Sequence, residues 1–293
     1  MRKLEYTIPE GWDGATVKGF ARGYLGLSVR ALAGQKFPSG VLVNGEDSRV
    51  TRELHAGDVL CFMVPEEPMC YPPAELPLAI LYEDEDFLII DKPPGMPVHP
   101  SPGHDCDSVL NAVSWHYRCT GQSHRVRPLY RLDRDTSGVL ALAKHRIAAG
   151  AVTEKEYLAV CEGELTGAGS IAEPIGLKEG SKIVRACGAG QPAVTRFWAL
   201  GSAEGYTLIR LRLETGRTHQ IRVHMSAFGN PLAGDDMYGG GLERIGRQAL
   251  HCRLLKLDCK AAGMSMTFHA PVPEDILKAF PRIANANLKV KEL

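Results

Sequence analysis

The sequence predicts an α+β protein with a small α/β amino-terminal domain and a larger second one. Three observations carry that expectation. Apolar runs of four to eight residues, strand-like in length, recur along the second part of the chain. Two helical patterns sit among them. Between the two parts, residues 66–78 (EEPMCYPPAELPL) hold four prolines and no periodicity, which marks a linker. A length of 293 residues agrees with two domains at about 100–200 residues each.

In residues 1–65, Phe20, Tyr24, Leu27 and Ala31 fall at helical spacing within Val17–Leu32. Gly19, Gly23 and Gly26 each weaken such a helix by roughly 1 kcal/mol relative to Ala. The run Val41–Val43 enters Asn44-Gly45, the strongest short-range hairpin signal, and Leu54–Leu60 supplies a further turn and strand. In residues 79–285, Ala79–Tyr82 and Phe87–Ile90 predict strands around the acidic turn Glu83-Asp84-Glu85-Asp86, and Asp91–Pro97 reads as a loop. Val109–Tyr117 predicts a helix capped by Asp107 or Ser108. Gly138–Ala143 and Glu156–Cys161 predict buried strands. In Tyr206–Leu213, Ile209, Leu211 and Leu213 face one side while Arg210 and Arg212 face the other. Thr218–Phe228 predicts a second helix, with Thr218 as N-cap, an apolar face of Ile221, Met225 and Phe228, and Gly229 as the stop. Residues 286–293 read as a tail.

Composition excludes several classes. Hydrophobic residues at 44% exclude disorder of the whole chain, and no run of 18 apolar residues predicts a membrane span. The start, MRKLEYTIPEGWDG, lacks the apolar stretch of a signal peptide. Eight cysteines without a CxxC pair predict free thiols in a reducing cytoplasm and no zinc site. Lys plus Arg at 34 balance Asp plus Glu at 34, which weighs against a uniformly basic nucleic-acid binder.

Two clusters carry candidate chemistry. In Arg131-Leu132-Asp133-Arg134-Asp135-Thr136-Ser137-Gly138, two carboxylates and two arginines abut a buried strand, an arrangement that needs pairing. In Glu214–His224, Arg217 stands just before a helix start, where a guanidinium and free N–H groups attract an anion. Taken singly, the first reads equally as a polar turn and the second as a solvated helix start. Local charge favours an anionic partner: Arg118–Arg146 has seven basic residues against Asp133 and Asp135, and Tyr206–His224 has four against Glu214. Glu75, Glu83, Asp84, Glu85, Asp86 and Asp91 form an acidic counterpart.

The segment Arg131–Gly138 closely resembles the signature of the RluA-type RNA pseudouridine synthases. Asp91-Lys92-Pro93-Pro94-Gly95 with Val98-His99-Pro100 resembles the family's first motif, and Glu154–Ala159 its lysine–tyrosine motif. Gly216–His224 resembles its arginine motif, and Pro231–Asp235 and Leu250-His251-Cys252 follow in the family's order. The resemblance covers roughly residues 75–280, and several motifs in order make it specific. Residues 1–65 resemble, more loosely, an S4-like RNA-binding module.

The resemblance implies a mixed, mainly antiparallel central sheet with flanking helices, and isomerisation of uridine to pseudouridine in RNA. It carries the nucleophile onto Asp133, its cationic partner onto Arg217, and the active-site tyrosine onto Tyr157. An arginine keeps its charge at any working pH and so holds a carboxylate ionised. Lys92, His99, Arg131, Arg134, Thr218, His219, Gln220, Arg222 and His224 are the expected RNA contacts, and Asp135 reads as structural. No cofactor or metal is expected. The expected partner is ribosomal RNA, with transfer RNA second, and the expected state is a cytoplasmic monomer. Two departures stand out: Tyr130 where the family commonly has His, and a short segment between Lys144 and Lys155. Two other readings compete: an RNA-binding protein without catalysis, and a glycoside hydrolase using Asp133 and Asp135. Intact Asp133, Tyr157 and Arg217 weigh against the first. The scarcity of tryptophans (Trp12, Trp115 and Trp198) for stacking a sugar weighs against the second.

Overall fold

The computed structural model describes residues 2–35 and 38–283, so the expected tail 286–293 lies outside the described residues. The amino-terminal module contains β1 (Arg2–Thr7), α1 (Val17–Gly23), α2 (Val29–Ala33), β2 (Val41–Val43), β3 (Glu46–Asp47) and β4 (Val59–Val64), with strand order β1-β4-β2-β3. The single helix expected over Val17–Leu32 is two. Gly26 takes φ 72°, a left-handed conformation that ends the first, and Ser28 caps the second through Ala31 N–H at 3.1 Å. The Asn44-Gly45 hairpin forms as expected, with both residues at positive φ.

The larger sheet contains β5 (Ala79–Glu83), β6 (Phe87–Lys92), β7 (Arg127–Pro128), β8 (Ser137–Ala143), β9 (Val152–Glu162), β10 (Ala168–Ile171), β13 (Thr195–Ala203), β14 (Tyr206–Leu213), β15 (Leu250–Cys259) and β16 (Met264–His269). A separate hairpin pairs β11 (Ile175–Leu177) with β12 (Arg185–Cys187). The order is β10-β13-β14-β9-β15-β8-β6-β5, with β16 on β15 and β7 on β8. Pairing is antiparallel except between β15 and β8, where His251 faces Ser137 and Cys252 faces Gly138. The helices are α3 (Val109–Thr120), α4 (Gln220–Ala227) and α5 (Glu274–Ala279). The sheet is therefore mixed and mainly antiparallel, with few helices.

Both faces of the central strands are buried. Phe87 and Ile89 of β6 join Val139 and Leu255 in a core that also contains Leu4, Phe20 and Phe62 of the amino-terminal module. Leu88 and Ile90 point the other way, to Leu110 and Val113 of α3 and on to Tyr157 and Ile221. The proline-rich segment does not hang free between the two parts. Glu67 accepts from Arg127 and Arg146, and the carbonyls of Tyr71 and Pro72 accept from Ser114 and Asn111 on α3.

Two boundaries and one buried face differ from expectation, and one open cap is resolved. Asp91 and Lys92 extend β6 instead of opening a loop, because pairing with β8 continues as far as Lys92 and Gly138. Ser108 settles the cap of α3 through a reciprocal bond pair with Asn111. Thr218 does not cap α4: the helix starts at Gln220, and the cap residue is His219 at φ 57°, ψ 20°, without a side-chain cap bond. Phe228 closes α4 as an exposed residue edging Phe197 (ring centroids 5.2 Å apart) instead of completing the buried face.

Candidate active site

The loop from Tyr130 to Thr136 leads directly into β8, and its carbonyls are tied down by buried cations. Lys92, fully buried, donates to the carbonyls of Pro93, Met96 and Arg134, each at 2.8 Å. Burial pushes its ammonium down to about 7, against the pull of Asp135 and Asp133. Arg247 Nη1 donates to the Asp135 carbonyl at 3.0 Å. At the end of the loop, Gly138 takes φ 114°, and a Cβ there would sit 2.1 Å from the Cys252 carbonyl oxygen. Only glycine fits this close approach of β8 to β15.

These ties present Asp133 at a cleft of about 940 Å³, lined among others by Arg131, Tyr157, Arg217, His219 and Arg222. The Asp133 carboxylate is about a quarter exposed (27%) and accepts from Arg222 Nη1 at 3.3 Å. Arg222 lies on α4, its side chain only 8% exposed, and forks onto Asp235 with Nε and Nη2 at 2.7 and 2.8 Å. It also lies over the Tyr238 ring, 5.0 Å from the centroid. Its guanidinium works against desolvation and is held firmly charged by Asp235 and Asp133.

This corrects the expected pairing. Arg217 does not hold Asp133: its Nε donates to the Pro192 carbonyl at 3.0 Å, and its backbone N–H to Gln220 Oε1 at 2.9 Å. It stays at the rim of the cleft. The reason lies in helix position. Arg217 precedes the start of α4, whereas Arg222, in its first turn, points inward between the loop and Asp235.

Tyr157 projects from β9 opposite Cys252 and Leu211, is 5% exposed and lines the cleft. Burial raises its phenol well above 10, so it stays protonated. Two residues earlier on the same strand face, Lys155 sits 4.4 Å from the centroid of the Tyr130 ring. Tyr130, at the position where His was expected, donates to the Val139 carbonyl at 2.8 Å.

The other expected contacts divide. Arg131 and Thr218 share the rim, with Arg131 Nη2 3.4 Å from Thr218 Oγ1. Arg134 is exposed and pairs with its neighbour Asp135 at 3.0 Å. His99 lines the cleft, its imidazole pushed down by burial and by Arg131. Lys92 and His224 do not line the cleft, and Gln220, in its wall, has its side-chain amide spent on the protein. Lys92 is spent on the three carbonyls. Gln220 is buried and bridges Thr215 and Arg217 to Val194 and Thr195. His224 is fully buried, bonding Thr195 Oγ1 and the Glu173 carbonyl. Asp135 does not line the cleft, which removes the second carboxylate of a glycosidase pair.

The charge counts also change. Arg127 and Arg146 pair with Glu67, Lys144 with Glu83, and Arg212 with Glu156. In the acidic segment, Glu83 is engaged by Lys144 and His116, and Asp86 by Arg2 and His145. The basic face narrows to Arg131, Arg217 and Lys155 in the cleft. Sequence reasoning missed Asp235 and Tyr238 as partners of the site. A charged Arg222 inside the apolar stretch Ile221–Met225 was the available signal, because a buried guanidinium demands a carboxylate.

Residues 86–227 match the model of the RNA pseudouridylate synthase family. An uncharacterized RNA pseudouridine synthase of Bacillus subtilis is 42% identical over 90% of this chain and 97% of its own length. The chain belongs to the RluA-type RNA pseudouridine synthases. The ribosomal large subunit pseudouridine synthase D of Escherichia coli is 37% identical over 81% of each chain. Among solved structures, human RNA pseudouridylate synthase domain containing 1 matches with a TM-score of 0.56 and 25% identity, over 69% of this chain and 86% of that one. The pseudouridine synthase fold therefore places Asp133, Arg222 and Tyr157 around one cleft. Among the described residues, no cluster of His, Cys, Asp or Glu is grouped as metal ligands, and no helix is long and apolar enough to cross a membrane.

Proposed function

We propose that this synthase isomerises uridine in structured RNA of the large ribosomal subunit, with Asp133 as the reacting carboxylate. The observation that carries the reading is the Asp133–Arg222 pair at 3.3 Å in a cleft that Tyr157 also lines. The name of the Escherichia coli relative supports large-subunit RNA over transfer RNA. The eight cysteines, all free, fit a reducing cytoplasm, and we assign a monomer as the acting species.

The chemistry follows from the geometry. A stacked uridine must leave its helix to enter the cleft, at a cost of a few kcal/mol. Arg131, Arg217 and Lys155 offer charge to the phosphates around it. Arg222, itself held by Asp235, fixes the Asp133 carboxylate at the reacting nucleoside through its Nη1–H. The protonated Tyr157 supplies a ring face for the base through the breaking of N1–C1′, the turn of the uracil and the joining of C5 to C1′, after which C5 gives up its proton to water and N1 takes one up. The amino-terminal module, packed on the same sheet, serves in this reading as an S4-like RNA reader.

The test is pseudouridine mapping in a strain of the source organism lacking the gene. One or more large-subunit sites should vanish, return with the wild-type gene and stay absent with Asp133→Asn. Sites lost only from transfer RNA would overturn the substrate, and full restoration by Asp133→Asn would overturn the nucleophile.

A further inference from the structure

His219 is a non-glycine residue in the left-handed region, φ 57°, ψ 20°, at the junction between the cleft and α4. Such a backbone is unfavourable for a residue with a Cβ and persists only where its surroundings impose it. Here Tyr238 imposes a direction on the ring. The Tyr238 hydroxyl lies 2.8 Å from His219 Nδ1 and accepts the backbone N–H of Arg185 at 3.0 Å. The Tyr238 hydroxyl has one proton and already accepts one N–H, so both groups are satisfied when it donates that proton to His219 Nδ1. That pairing puts the proton of the neutral imidazole on Nε2. Nε2 makes no hydrogen bond among the described residues, and His219 lines the cleft beside Asp133.

We propose that Tyr238 holds His219 as a neutral Nε2–H donor, and that this N–H binds a carbonyl oxygen of the target uracil as the N1–C1′ bond breaks. The inference rests on the uridine-isomerising reading above. A uracil leaving C1′ gathers negative charge on N1 that spreads to its carbonyl oxygens, so a fixed donor binds the transition state more strongly than the bound uridine. No proton changes hands: the imidazole is neutral before and after. The charged groups facing it agree with that state. Arg222 on α4 and Arg185 on β12 disfavour a second ring proton, Asp133 and Asp235 favour one, and burial decides for the neutral ring. Tyr238 also carries Arg222 on its ring face, so one phenol orients both the donor and the cation that holds Asp133. Tyr238 is accordingly a positioning residue.

The experiment combines single-turnover release of tritium from C5 of uridine in RNA, RNA affinity by fluorescence anisotropy, and ¹⁵N spectra of the His219 ring. His219→Ala should slow the single-turnover rate by about 10²–10³, as loss of one transition-state donor does, while RNA affinity stays within about twofold. His219→Gln, whose amide N–H₂ reaches near the Nε2 position, should recover at least about tenfold of that loss. The wild-type ring should show the Nε2–H tautomer, and Tyr238→Phe should show a mixture with a reduced rate. A His219→Ala rate within about threefold of wild type, or an Nδ1–H wild-type ring, would overturn the proposal. If the wild-type protein releases no tritium at all, the isomerase reading itself fails. The ring spectra then still decide whether Tyr238 fixes the tautomer.

Discussion

Arg222 is buried and bound to two carboxylates, Asp235 through a fork and Asp133 through one further N–H. Removing it leaves Asp235, whose side chain is fully buried, as an uncompensated charge. Arg222→Met should therefore cost about 3–5 kcal/mol in urea unfolding as well as abolishing activity. Arg222→Lys keeps the charge but not the planar fork, so it should fold better than the Met variant and still lose most of its rate. Arg217→Ala should leave unfolding unchanged, raise KM for RNA and change kcat only a few-fold, because Arg217 touches a carbonyl and the cleft rim. Equal losses of kcat in Arg217→Ala and Arg222→Lys would return Arg217 to the centre. At this scale Asp133 and Tyr157 were legible because a motif placed them. The choice between two arginines five residues apart was not, because it depends on where a helix begins. Lys92, Gln220 and His224 misled for a related reason: polar side chains inside motifs can serve the backbone, and only burial shows it.

Two strands meet where the site is built, and each carries a testable constraint. Gly138→Ala drives a Cβ into the Cys252 carbonyl at a positive φ, and should destabilise by more than about 3 kcal/mol or prevent soluble expression. His251 on β15 is fully buried between Ser137 Oγ at 3.0 Å and the Ala270 carbonyl at 3.3 Å. Burial pushes its imidazole down from 6.5 to about 4. The unfolded chain binds this proton and the folded one does not, so stability is full above pH 6.5 and is lost as pH falls towards 4. The loss from this residue is about 3 kcal/mol. Urea midpoints measured across that range should fall, and His251→Asn should be less stable at pH 8 with a shallower fall. A fall as steep as that of wild type would place the acid sensitivity elsewhere, for example at His224, which burial also holds low. Strand positions and the hairpin turn were legible from apolar runs and Asn44-Gly45. The parallel step between β8 and β15 was not, because residues 114 apart in sequence carry no pairing signal.

At the scale of the molecule, the amino-terminal module and the catalytic sheet share one apolar core, and Arg2 forks onto Asp86 across the junction. Calorimetry should show one cooperative transition, and deletion of residues 1–65 should expose Phe87, Ile89 and Val139 and give an aggregating protein. Two separate transitions would mean that the proline-rich segment acts as a true linker. Its composition suggested a linker; the contacts that make it a strap, Glu67 with Arg127 and Arg146 and the Tyr71 and Pro72 carbonyls with α3, could not be read from it. Zero net charge conceals, among the described residues, three cleft cations without a carboxylate partner (Arg131, Lys155 and Arg217), not two wholly basic segments, so log affinity for RNA should fall with log salt at a slope of only about −2. The central claim concerns the carboxylate those cations surround. The most direct test is tritium release from C5 of uridine in large-subunit RNA lacking the modification. Wild type should release tritium and place pseudouridine at the same site, while Asp133→Asn should bind that RNA equally and release none. Release by Asp133→Asn at the wild-type rate would contradict the account.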